Sequence, residues 1–161
     1  MKGVFGLRSP ADLFKKLESD HEQLHARPND PFVAYDFFVT AWHLLEWIYP
    51  NADGKSQERK AIRDREPLLQ VCEHLAVGAK HFEPTFSQHK SVQDSGSAGV
   101  WADGLWAKGS WADDVWANNL IVQLDGVARA RFGDRIAVVD LADQVMVFWR
   151  EWSGPDFKDA V

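Results

Sequence analysis

Two histidine placements in this chain have spacing suited to metal or acid–base chemistry. His21-Glu22-Gln23-Leu24-His25 sets two imidazoles one helical turn apart with a carboxylate between them. On a helix both rings would reach one ion, and Glu22 would stand beside it as a base. The flanks Glu18, Asp20 and Arg27 are charged, the match falls in the last turn before Pro28, and no second motif supplies a third ligand. Among six histidines such spacing also arises by chance. The sequence therefore assigns no metal and no cofactor, and His21 and His25 are its weak candidate ligands. His74 and His81 form the second placement, seven residues apart and so about 10 Å along a helix axis. That is too far to chelate one ion, but either could act alone as a general base or hydrogen-bond donor. Asp36, Thr40 and His43 fall at i, i+4 and i+7 of another segment and make a polar stripe that could face them across a bundle. A structural polar network is the simpler reading of that stripe. No Gly-rich phosphate loop, no G-x-S-x-G and no paired-cysteine site occurs.

Helices must position these groups. Ser9-Pro10-Ala11-Asp12 is a start signal, with Ser9 as cap, Pro10 in the first turn and Asp12 as the capping-box acid. Leu13, Leu17 and Leu24 share a face of the helix that follows, which ends before Pro28. Asp30-Pro31 opens a second helix to about Tyr49, apolar almost all round and hence the expected centre of a bundle. Lys55–Arg65 is locally basic and reads as a short exposed helix. Glu66-Pro67 opens another helix to about His81, with Leu68, Cys72, Leu75 and Ala79 as its seam, so Cys72 is a core residue. Thr85–Gly99 lacks periodicity and reads as a mobile linker. Leu120–Leu124 reads as a strand, Asp125-Gly126 as a hairpin turn, and Val127–Phe132 as the returning strand. A last helix is expected over Val138–Trp152, with Leu141, Val145, Phe148 and Trp152 facing the core.

Between linker and strand lie four pentads, WADGL-WAKGS-WADDV-WANNL, headed by Trp101, Trp106, Trp111 and Trp116. Five residues fit neither a helical stripe nor one face of a strand. Gly, Asp or Asn in each fourth place is turn chemistry, so each pentad is expected to be one corner of a coiled segment. The period resembles that of the pentapeptide-repeat family, whose inward residue is Leu or Phe instead of Trp. Four pentads cannot bury their own apolar face, so they must lean on the bundle or on a partner. An exposed tryptophan surface would bind a protein, a glycan or a second copy of the chain.

The 161 residues suffice for one domain with a real core, 45% of them apolar. A net charge of −6 disfavours diffuse attraction to nucleic acid or anionic membrane. Cys72 is alone, so no internal disulfide forms, and no apolar run has signal or membrane-spanning length. The expectation is a cytoplasmic protein with no membrane association.

Leu75-Ala76-Val77-Gly78-Ala79-Lys80-His81-Phe82 resembles a family of uncharacterised bacterial proteins whose pattern here is an apolar residue followed by Ala-Asn-Gly-Ala-Lys-His-Phe. The segment Ala34–Trp47, the aromatic five-residue repeats and a final helix ending in Phe-Trp are similar to that family too. The resemblance covers most of residues 30–152 and implies a fold but no established activity. More distantly, a helical bundle with Lys-His near a helix end is similar to the HEPN superfamily, many of whose members are ribonucleases using an Arg followed by His. That resemblance implies His81 with Lys80, and His74 nearby, as catalytic residues acting on RNA. The nearest arginine upstream is Arg65.

The expected fold is α+β, predominantly α: a helical bundle over residues 1–84, a linker over 85–99, the coiled pentad segment over 100–120, and a small β-hairpin with the closing helix over 121–161. The expected function is a non-enzymatic interaction module, self-associating or binding a protein partner through Trp101, Trp106, Trp111 and Trp116. The alternatives are a HEPN-like, toxin-type ribonuclease using His81 and, behind it, an H-E-x-x-H zinc protease.

Overall fold

The computed structural model describes residues 5–50, 56–80, 91–98 and 119–154, with the backbone alone at 79–80, 96–98 and 119. Residues 100–118 of the pentad segment, His81 and Lys55 lie outside the described residues, while Asn119 and Leu120, which close the fourth pentad, are strand and not a coiled corner. The described elements run α1 (Pro10–Ala26), α2 (Pro31–Ile48), α3 (Ser56–Arg65), α4 (Pro67–Lys80), β1 (Val92–Ala98), β2 (Asn119–Leu124), α5 (Gly126–Phe132), β3 (Arg135–Ala137) and α6 (Val138–Arg150). The architecture is α+β and predominantly helical. Among the described residues no helix is long and apolar enough to cross a membrane.

The capping signals act as the sequence implies. The Ser9 hydroxyl accepts the Asp12 N–H at 3.2 Å and the Asp12 carboxylate accepts the Ser9 N–H at 3.0 Å. Hydrogen bonds from the Arg8 backbone and the Ser9 hydroxyl hold the Asp12 carboxyl below its ordinary range. Asp30 accepts from the N–H groups of Phe32 and Val33 at the head of α2. Inside, α2 packs between α1 and α4, with Phe37, Leu44 and Leu45 fully buried. Phe32 is an exception to the all-round burial expected of this helix: it stands in solvent on the first turn. α6 brings Leu141, Val145, Met146 and Trp149 into the same core.

The polar stripe of α2 does not face α4. Thr40 is buried toward α1, donating to Asp20 at 2.7 Å and accepting from Lys16 at 2.9 Å. Asp36 and His43 are exposed instead. The Lys16–Asp20–Thr40 set fixes the register of α1 on α2, one residue before His21.

The sheet corrects two expectations. Its order is β1-β2-β3, antiparallel throughout, with Ser95 opposite Val122 and Val122 opposite Ile136. β1 lies within the stretch expected to be a linker. Its sequence VQDSGSA is polar because it is an edge strand, and pairing with β2 supplies the order that local propensity does not. β2 shows the period of two, with Leu120, Val122 and Leu124 buried. The segment Val127–Phe132 is helical, not the returning strand. Asp125 caps α5, its side chain accepting the Gly126 N–H at 2.7 Å, and Gly133 ends it at φ 88. Only Ala128 of that helix is buried, so the alternation in the sequence had no sheet face to serve.

Candidate metal centre

His21 and His25 occupy the last two turns of α1. Leu13, Leu17 and Leu24 bury one side of that helix, and His21 stands four residues after Leu17 on the margin of the same seam. Packing of α6 against α1 brings Asp143 to both rings. Its neighbours Ala142 and Met146 are fully buried, which fixes α6 in rotation and leaves Asp143 at the seam between the helices.

The three side chains meet at a point. His21 Nε2 lies 2.6 Å from Asp143 Oδ1, His25 Nε2 lies 2.8 Å from the same oxygen, and the two nitrogens are 3.2 Å apart. The rings meet edge to face at 4.6 Å, and the Phe37 ring lies 5.9 Å from His21 on the inner side. Side-chain exposure rises outward: 15% for His21, 47% for His25 and 46% for Asp143. Partial burial pushes the Asp143 carboxyl up, but hydrogen bonds from His25 and then His21, with their charges, outweigh it and hold the group below its ordinary range.

Hydrogen bonding alone satisfies this arrangement poorly. Two ring N–H groups that both donate to the one carboxylate oxygen leave their nitrogens 3.2 Å apart with no proton between them. A cation at the centre resolves the conflict by taking a lone pair from each of the three atoms. Donors about 2.1 Å from a tetrahedral zinc lie about 3.4 Å from one another, so the two nitrogen–oxygen edges of the triangle, 2.6 and 2.8 Å, would have to open by roughly 0.6–0.8 Å while the nitrogen–nitrogen edge, 3.2 Å, hardly changes. Two imidazoles and one carboxylate suit zinc or another first-row divalent ion. Among the described residues no group accepts the Nδ1–H of either ring, so the rings are oriented by packing on each other and on Phe37. The sequence reading lacked a third candidate ligand; Asp143, separated from His25 by 118 positions, brings a third potential ligand atom to the pair. The signal that could have found it is His21 itself, a polar residue at an apolar-seam position facing whatever packs on α1.

The other predicted site residues are not gathered there. His74 lies in α4, where its Nδ1 accepts the Val92 N–H at 3.1 Å and ties β1 to the bundle. Lys80 closes α4. His81 and Trp101, Trp106, Trp111 and Trp116 lie outside the described residues. The basic helix α3 turns much of its charge inward: Arg63 pairs with Glu73 at 3.4 Å, and Arg59 reaches Glu46 at 3.8 Å. Burial pushes Glu73 up, with Arg63 and Arg59 opposing it. Cys72 is fully buried, which raises its thiol far above the ordinary range and leaves it unreactive. A groove of about 500 Å³ between α2, α4 and the sheet, lined by Tyr35, Phe38, His74 and Ser95 among others, is separate from the α1–α6 centre.

No family model, no curated protein and no solved structure matches this chain.

Proposed function

We propose that this protein binds one divalent transition-metal ion, zinc by ligand preference, through His21, His25 and Asp143. The observation that carries the reading is the convergence of two imidazole nitrogens and one carboxylate oxygen, drawn from two helices, within 3.2 Å of one another. Untagged protein dialysed against zinc and then against metal-free buffer should retain one equivalent per chain by elemental analysis. Retention of less than a tenth of an equivalent would dispose of the reading.

A second reading concerns the tryptophan repeat. Ala98 and Asn119 are partners in the β1–β2 ladder, so both ends of the intervening repeat leave from one place on the molecule. A segment with four tryptophans between two paired strand ends suits self-association or a protein partner, as the repeat's inability to bury itself suggests. Light scattering behind size exclusion checks it: a dimer that Trp106→Ser with Trp111→Ser converts to monomer supports it, and a monomer at all concentrations opposes it.

A further inference from the structure

We infer that the α1–α6 centre, once loaded with its metal, is hydrolytic: it holds a water on its solvent side and turns that water on uncharged carbonyl esters. The inference rests on the metal-binding reading and extends it. Three protein donors leave at least one position of a tetrahedral ion to an exchangeable ligand, which is the arrangement of catalytic and not of structural zinc sites. The exposure gradient says where that position is. Phe37 and the buried side of His21 close the inner face, while the half-exposed His25 and Asp143 leave the outer face to solvent.

Glu22 is the group placed to receive the water's proton. It follows His21 directly and precedes His25 by three residues, so its Cα lies within one helical turn of both ligands. It is exposed, and among the described residues it makes no hydrogen bond or ion pair. The step balances without a further reactant. The water at the outer position gives one proton to Glu22 and its oxygen forms a bond to the ester carbonyl carbon. The carbon–oxygen bond to the leaving group then breaks, and the departing alkoxide takes the proton back from Glu22. The products are the acid and the alcohol.

The surroundings set the substrate class. Glu18 stands three residues before His21, and Asp140 three residues before Asp143, so each ligand helix presents a carboxylate one turn from the centre. With Glu22 they make an acidic rim. It repels anionic substrates and admits neutral or cationic ones.

The test uses the full, untagged chain loaded with cobalt(II) or zinc. Acetohydroxamate, which displaces water from an accessible ion, should change the visible spectrum of the cobalt form with saturation at one per chain. Zinc-loaded protein should hydrolyse 4-nitrophenyl acetate faster than the metal-free protein and faster than the same concentration of free zinc, and should prefer it several-fold to mono-4-nitrophenyl succinate, which carries a carboxylate. Glu22→Gln should bind zinc within about twofold of the parent but lose about 100-fold of the metal-dependent rate, the lower end of what a positioned proton acceptor contributes. A cobalt spectrum indifferent to hydroxamate, or a Glu22→Gln rate equal to the parent, overturns the hydrolytic inference while leaving metal binding intact. Absence of stoichiometric metal overturns both.

Discussion

His21 and His74 are both half-buried residues on long helices of one bundle, and they have opposite fates. The His74 ring spends a nitrogen lone pair on a backbone N–H and so fastens an edge strand. The His21 ring aims its nitrogen at two other potential ligand atoms. Burial and residue type are the same; what faces the nitrogen differs. A histidine meeting a backbone donor is a structural acceptor, whereas a histidine meeting a second imidazole and a carboxylate is a candidate ligand.

Four experiments sharpen or break this contrast. The largest effect should come from Asp143→Ala, which removes a ligand and should weaken zinc at least about 100-fold by competitive titration, beyond the 10–100-fold typical of partners that only orient ligands. His74→Ala should leave zinc affinity within about twofold. Its cost should appear in stability: loss of the acceptor for Val92 N–H is worth about 1 kcal/mol in urea unfolding, where His25→Ala, at a half-exposed position, should cost under about 0.5 kcal/mol in the metal-free protein. Thr40→Val should cost more stability than either, about 1.5–3 kcal/mol, because it strips a hydrogen bond from the buried Asp20 carboxylate, and it should hold α1 less firmly for the site.

The pH dependence separates the two sites as well. Zinc must displace protons from the imidazoles, so its affinity should fall as pH falls, whereas the His74 contact has no such linkage to metal. Asp143 acts in the other sense on the metal-free fold. Its carboxyl is held below the ordinary value, so the stability it contributes is fully present above that value, about 3.9, and is lost as pH drops through its lower folded value. Asp143→Asn should therefore flatten the acid limb of a stability–pH curve. A curve unchanged by the substitution would mean that the cluster does not hold in solution.

What the sequence disclosed and what it concealed divide along the same line as local and long-range information. Ser9, Asp12 and Asp30 announce helix starts because a cap acts on residues two or three away. The apolar run of α2 and the Leu141–Val145 stripe of α6 declare their burial through periodicity. Asp125-Gly126 was legible as a punctuation mark but not as to kind, since the same pair serves a hairpin and a helix cap. β1 was invisible: nothing in VQDSGSA favours a strand, and only its partner orders it. Half of the candidate metal centre, the His21–Glu22–His25 spacing, was legible, though the sequence assigned it no metal and left both histidines as weak candidates. The other half was out of reach because Asp143 joins it through the packing of α6 on α1, a relation that no spacing along the chain encodes.

The most direct measurement is zinc K-edge X-ray absorption on the untagged, zinc-loaded protein, repeated with Asp143→Asn. The account predicts two imidazoles at about 2.0–2.1 Å with the remaining ligands oxygen, and an altered oxygen shell or lost metal in the variant. A spectrum of oxygen ligands alone, or one that Asp143→Asn leaves unchanged, would contradict the assignment of His21, His25 and Asp143 as the metal's ligands.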